Sequence, residues 1–360
     1  MKKNLIYLTA FFLLQANVLL RAQQKTENLV IVTLDGFRWQ EVFGGVDSVL
    51  MMDKIYVHDT AGMHNKYWSP DINERKHKLM PFFWNVIAKE GQLYGNRWKG
   101  SLVNNANKYW FSYPGYNEIF TGFPDDSVNS NDKIWNKNIN VLEYISRQPG
   151  YRDKVAAFTT WDVFPYILNS RRSGIYVNAD VDTLHFADPG LQLLNDMQFL
   201  APQPVGVRPD LITYFAAREY LKKYKPKVLY IAFDETDDFA HGGNYEQYIS
   251  SAHSQDAMIA DLWHTIQQMP EYKGNTTLLI TCDHGRGDAV KEEWKHHGQK
   301  IADAGQIWIA VMGPDTKPVG EIMKGTTIYQ RQIATTLAAL LGFDFKPGHP
   351  VMEPVRAMYK

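Results

Sequence analysis

Five short, almost wholly apolar runs, separated by stretches of helical periodicity, constrain this chain more than any other feature. They span residues 29–34, 155–159, 228–233, 277–281 and 307–312 and are rich in β-branched and aliphatic side chains. A strand that is apolar on both faces must be covered on both faces. That is the condition of a parallel sheet held between helices, not of a half-exposed antiparallel one. The intervening patterns predict helices over 80–90, 141–147, 209–224, 247–269 and 329–341. The expected fold class is therefore α/β, with a mostly parallel central sheet and helices on both faces. Two stretches, 44–77 and 169–207, lack strong periodicity and are long for plain connections, so they are expected to be loop insertions over a binding face.

The N-terminus carries a different signal. Met1-Lys2-Lys3 leads into an apolar run from Leu5 to Leu20, broken only by Thr9, Gln15 and Asn17, and Ala22 stands at a plausible cleavage point. A basic start, an apolar middle and a small residue at the end read as a signal peptide over residues 1–22. The chain is then expected to be exported, periplasmic or secreted, as one catalytic domain over 23–360 with no stable membrane span after leader removal. A membrane anchor is the competing reading, although the run is shorter than a comfortable spanning helix. Lys plus Arg number 38 and Asp plus Glu 39, which leaves no basic surplus to mark a nucleic-acid-binding surface. Cys282 is the only cysteine, so neither an intramolecular disulfide nor a thiolate metal cluster is available.

In open α/β sheets, ligands sit beyond the carboxyl ends of the strands. There this chain gathers its acids and histidines. Asp35-Gly36-Phe37-Arg38 follows the first apolar run, and the segment from Asp234 to His241 follows the third. Asp283-His284-Gly285 follows the fourth, and His296-His297-Gly298 lies a little further on. Each has a bland reading alone: a turn, a surface pair on one helix face, a solvated loop. Together they offer three carboxylates and three histidines, an oxygen and nitrogen set suited to two borderline divalent ions such as zinc. Asp237 lies four residues before His241 and shares its helical face, while Asp234 and Asp238 compete for the same role. His296 and His297 compete likewise. Ser112, with Pro114 two residues on, falls at the start of a short helical stretch. There it either meets a phosphoryl oxygen beside free backbone amides or merely caps the helix.

This ordered set resembles the alkaline phosphatase superfamily, and within it the nucleotide pyrophosphatase/phosphodiesterase branch. The matching pieces are Asp35-Gly36-Phe37-Arg38, the nucleophile segment ending Ile119-Phe120-Thr121-Gly122, Asp237-x-x-x-His241, Asp283-His284-Gly285 and His297-Gly298. They occur in the superfamily's order, and the apolar tail from Ile333 to Gly342 is similar to its closing helix, so the resemblance spans nearly all of the mature chain. It implies an alkaline-phosphatase-like fold and a phosphoric ester hydrolase with two divalent metal ions, zinc being expected. It further implies that Asp35, Ser112, Asp283 and His284 hold the ion that activates the nucleophile Ser112. Asp237, His241 and His297 would hold the other, with His297 favoured over His296 because Gly298 follows it. Where the branch has Thr-Phe-Pro-Asn-His, this chain has Ser112-Tyr113-Pro114-Gly115-Tyr116, which bears on substrate choice. Tyr116 also replaces the arginine that sulfatases carry at this position, so a formylglycine sulfatase is not expected.

The activity expected is cleavage of phosphate esters on a small-molecule substrate through a phosphoseryl intermediate, with phosphodiesters or pyrophosphates preferred. A phosphomonoesterase on the same scaffold is the alternative. A phosphonate hydrolase, a phosphosugar mutase and an inactive binding protein are remoter. Arg38, Tyr113 and Asn131 are candidate substrate contacts, although Arg38 equally suits a structural ion pair and Asn129 competes with Asn131. Tyr109, Trp110, Tyr113 and Tyr116 around the nucleophile, and Phe37 and Trp39 beside Asp35, either stack on a substrate ring or pack in the core.

Overall fold

The computed structural model describes residues 25–184, 189–203 and 206–359, and the leader assigned to residues 1–22 lies outside them. Its strands are β1 (Asn28–Leu34), β2 (Gln92–Tyr94), β3 (Val103–Asn104), β4 (Val155–Thr159), β5 (Tyr176–Ala179), β6 (Val228–Phe233), β7 (Thr276–Thr281), β8 (Ile309–Met312), β9 (Gly320–Glu321) and β10 (Ile328–Tyr329). Eight of them form one sheet in the order β5-β4-β6-β1-β7-β8-β2-β9, and β3 pairs with β10 separately. The central strands β1, β6 and β7 are buried along their whole length, as their unbroken apolar sequences require.

Five helices matter for the site: α1 (Ser112–Thr121), α2 (Asp210–Tyr224), α3 (Glu235–His241), α4 (Tyr245–Gln268) and α5 (Ile333–Leu340). Strand register shows that helices cover both faces. Tyr230 of β6 sits level with Ala157 of β4, and its ring meets Phe120 of α1 at 4.7 Å. Phe158, one step out of phase, points to the opposite face and meets Tyr220 of α2 at 5.1 Å.

Strand β8 departs from expectation. Its run was grouped with the parallel strands, yet it pairs antiparallel with both β7 and β2. A parallel neighbour needs a crossover, usually a helix. The chain between β7 and β8 instead carries one short 3-10 turn, Lys291–Lys295, and comes straight back. The two aperiodic stretches also hold regular structure. The first carries helices Ser48–Met52, Thr60–Tyr67 and Ile72–Leu79, each capped by an aspartate side chain, from Asp47, Asp59 and Asp71 respectively. The second supplies β5, the short, half-buried strand at the sheet's edge, and helix Pro189–Leu200. The helix expected over 80–90 opens with a π turn, Phe83–Ile87, where the Asp256 carboxylate accepts from the amides of Phe82 and Phe83.

Candidate active site

Three carboxylates leave the sheet at one height. Leu34 is level with Phe233 and Thr33 with Thr281, so Asp35, Asp234 and Asp283 emerge side by side beyond β1, β6 and β7. Parallel register thus converts three distant sequence positions into one acidic cluster.

Ser112 is delivered by the loop before α1. Phe111, extended at φ -146°, occupies the N-cap position, and no side chain caps the helix, so Ser112 is its first residue and not its cap. Trp110 takes a left-handed conformation at φ 52°. The loop is anchored by the buried Glu118 carboxylate, which accepts from the amides of Ala106, Asn107 and Arg331 and from Asn107 Nδ2. Asn107 Oδ1 in turn accepts from the amides of Tyr109 and Trp110. Burial raises the Glu118 pKa against these hydrogen bonds. Gly115 lets α1 press against the end of β7, because a Cβ there would lie 2.5 Å from the Asp283 carbonyl oxygen.

His284 Nε2 is the hub of the first donor group. It lies 3.5 Å from Ser112 Oγ, 3.4 Å from Asp35 Oδ1 and 3.3 Å from Asp283 Oδ2. The ring's other nitrogen, Nδ1, is 3.0 Å from the Gly285 carbonyl, which can only accept. Nδ1 therefore carries a proton, and Nε2 is the ring nitrogen turned toward the two carboxylates. Asp35 Oδ1 and Asp283 Oδ2 are both buried without a hydrogen-bond partner. Burial, reinforced by the neighbouring carboxylates Asp283, Asp237 and Asp234, pushes the Asp35 pKa well up. Burial also raises that of Asp283.

The second group adjoins it. His241 Nε2 is 3.2 Å from Asp237 Oδ2 and 2.9 Å from His297 Nε2. His297 Nδ1 faces the Trp110 carbonyl at 3.3 Å, so its Nε2 presents a lone pair. Burial, then the nearby His284, pushes the His297 pKa down to about 2, which keeps the imidazole neutral. Burial opposes the charge of Asp237, but the Arg286 guanidinium against it holds its pKa well below the usual range. The His284 and His297 rings stack at 4.0 Å and join the two groups. Ligand atoms of Asp35, Asp283 and His284 lie within 4.8 Å of one another, as do those of Asp237, His284 and His297. Converging carboxylate oxygens and imidazole nitrogens are the ligand types a divalent cation takes.

The sequence profile of the type I phosphodiesterase/nucleotide pyrophosphatase family matches residues 53–338. The chain belongs to this family. No curated protein matches it in sequence. In three dimensions it is similar to wild-type alkaline phosphatase PafA, with a TM-score of 0.64 and 10% identity over 93% of this chain and 99% of that one. It is also similar to murine ectonucleotide pyrophosphatase/phosphodiesterase 5, solved as an inactive form in complex with AMP, with a TM-score of 0.55 and 12% identity over 93% and 100%. The lipoteichoic acid synthase LtaP from Listeria monocytogenes gives 0.58 and 13% over 92% and 76%. At such identities the likeness to solved structures is one of fold. The family is one of phosphoric ester hydrolases, and the fold is the α/β one expected from the strand pattern.

For this phosphodiesterase-family chain, Asp35 lies N-terminal to the profile match, and its place in the cluster rests on the β1 register. The structure separates the competing acids. Asp237 faces the histidines, while burial followed by the charge of Asp238 raises the Asp234 pKa well up. His297 sits in the cluster and His296 is exposed. Arg38 is not brought to the site. Its guanidinium is fully buried, pairs with Glu41 and donates to the Gly287 carbonyl at 2.7 Å, a structural ion pair with no donor turned toward Ser112. Phe37 packs in the core with Tyr248 and Trp308, and the buried Trp39 meets the exposed Trp98 edge-on. Tyr113 is buried, its hydroxyl committed to the Ile134 carbonyl at 2.5 Å. Asn131 reaches α1, where its Oδ1 accepts from the Tyr113 amide at 3.0 Å; both Asn129 and Asn131 are exposed. The residue pattern did not single out Tyr116 as a partner of Asp35. One turn beyond Ser112, its hydroxyl donates to Asp35 Oδ2 at 2.8 Å and ties α1 to the carboxylate. Glu118 and Arg286 likewise act through tertiary contacts that no sequence period announces.

Proposed function

We propose that this chain is an exported hydrolase that cleaves phosphodiester or pyrophosphate bonds of a small-molecule substrate, with Ser112 as nucleophile and two divalent cations, zinc by donor type. One observation carries the reading. Ser112 Oγ sits at the edge of a buried centre in which Asp35 Oδ1 and Asp283 Oδ2 are orphaned and His284 Nε2 points at both. That donor set fits a cation. Asp35, Ser112, Asp283 and His284 would hold one ion, and Asp237, His241 and His297 the other. When bound, such ions stabilise an ionised serine near neutral pH and offset charge on the departing oxygen.

The chain's own residues do the rest. Ser112 Oγ gives up its proton and attacks phosphorus, and the phosphorus–oxygen bond to the leaving group breaks, so that an alcohol or a phosphate departs with a proton and a phosphoseryl ester remains. Water then attacks phosphorus, and the serine oxygen leaves and regains its proton. Tyr116 keeps Asp35 in orientation, and Glu118 with Asn107 fixes the loop from which Oγ projects. Among the described residues no helix is long and apolar enough to cross a membrane.

The test is a paired assay on purified mature protein after metal removal and zinc return, with bis-p-nitrophenyl phosphate and p-nitrophenyl phosphate. The expected result is zinc-dependent activity with the diester clearly faster. A faster monoester would replace the diesterase reading with a phosphomonoesterase. Loss of both under every divalent metal would end the two-cation reading.

A further inference from the structure

Arg286 lies two residues beyond His284, with its side chain buried among the segments that bear the candidate ligands. Its Nε donates to the Gly36 carbonyl at 3.2 Å, its Nη1 to the Lys295 carbonyl at 2.7 Å, and its Nη2 to the Asp237 carbonyl at 3.0 Å and to the Asp237 carboxylate. One planar fork therefore joins the residue after Asp35, the backbone of Asp237 and the segment just before His297, from the loop that carries His284. Room is made for it at the turn after β1. Gly36 has φ +56°, and a Cβ there would stand 2.6 Å from Asp237 Oδ1 and 2.9 Å from Arg286 Nε. The Asp35-Gly36 turn is thus shaped around this guanidinium as well as around its own backbone.

We propose that Arg286 is a positioning residue that holds the two cation-binding groups in register and keeps the Asp237 carboxylate turned toward His241 and His297. The proposal rests on the two-cation reading. Two roles for a buried guanidinium predict opposite effects. As a charge beside Asp237 it repels an incoming cation, so its loss would tighten binding. As a brace it fixes where the ligand-bearing segments stand, so its loss would weaken binding. The contacts favour the brace, because backbone carbonyls of three separate segments receive its donors, and a charge role needs none of them.

The experiment is a cobalt(II) titration of the metal-stripped mature protein, read by visible absorption and by the paramagnetically shifted imidazole N–H signals. It compares the parent with Arg286→Met and Arg286→Lys. The parent is expected to bind two equivalents. Arg286→Met should keep one site at parental affinity and lose about 10–100-fold at the other, with the signals of the two-imidazole site, His241 and His297, lost first. Arg286→Lys keeps the charge without the fork and should resemble Arg286→Met. Lysine also covers the case in which the methionine variant does not fold. Unchanged or tighter binding at both sites in Arg286→Met, or full rescue by lysine, would overturn the proposal while leaving the two-cation reading intact. A parent protein that binds fewer than two equivalents would overturn both.

Discussion

Ser112 can be altered without removing a helix cap. Phe111 occupies the N-cap position and no side chain caps α1, so alanine at position 112 leaves the helix and the other donors in place. Ser112→Ala is expected to lower kcat/KM about a thousandfold or more and to abolish any trapped phosphoryl-enzyme, with metal content largely unchanged. A purified variant with the parental rate would refute the nucleophile assignment. His241 differs in kind, because its Nε2 faces both Asp237 and His297. His241→Ala should lose metal occupancy together with rate, which elemental analysis of the dialysed protein would read directly. At this scale the sequence is legible where a residue's role follows from its place along an element. Asp35 and Asp283 end strands, and Asp237 and His241 share a helix face. It misleads where neighbours in sequence part in space. Arg38 stands three residues from Asp35, yet the chain turns so that its guanidinium meets Glu41 and not the site.

Among the elements, the π turn at Phe83–Ile87 is held by a carboxylate that burial works against. Asp256, on α4, accepts from the amides of Phe82 and Phe83 at 2.8 and 2.9 Å, and burial outweighs those bonds and pushes its pKa up to about 7. An unfolded aspartate titrates near 3.9, so between about pH 4 and pH 7 the folded chain holds a proton that the unfolded chain lacks. Stability from this group is complete below the unfolded pKa and declines as pH rises through that window, by up to about 4 kcal/mol. Asp256→Asn keeps an acceptor oxygen and removes the titration. Urea melts at pH 5 and pH 8 are therefore expected to show a smaller drop for the variant than for the parent. Equal drops would mean that Asp256 titrates normally in the fold. The periodic pattern over 80–90 marks a helix but cannot show this turn, since its cause is a side chain more than 170 residues away.

For the whole molecule, alternating apolar strands and helical periods suffice to read the layered α/β class, because a two-sided apolar strand has few other places to go. Strand order is not in that pattern. It arises from which connections cross the sheet, and the β7–β8 return shows how the absence of a crossover helix reverses one strand. The order matters because it sets β1 between β6 and β7 and so brings three carboxylates together. Folding this chain therefore assembles a cluster of like charges, with Asp35, Asp234 and Asp283 all raised in pKa by burial first. A ligand that binds only the folded state stabilises it by mass action, and a cation here also relieves that repulsion. At about a hundredfold excess over its Kd, one bound ion adds about 2.7 kcal/mol and two independent ions about twice that. The zinc-loaded protein is expected to melt several degrees above the stripped protein in differential scanning calorimetry. Ser112→Ala should keep most of that increment, because carboxylates and imidazoles supply the other donors. His241→Ala should lose a large part of it. A melting temperature indifferent to zinc in the parent would mean that the carboxylates tolerate one another without a cation, and the metal centre would have to be given up whatever the assays with phosphate esters show.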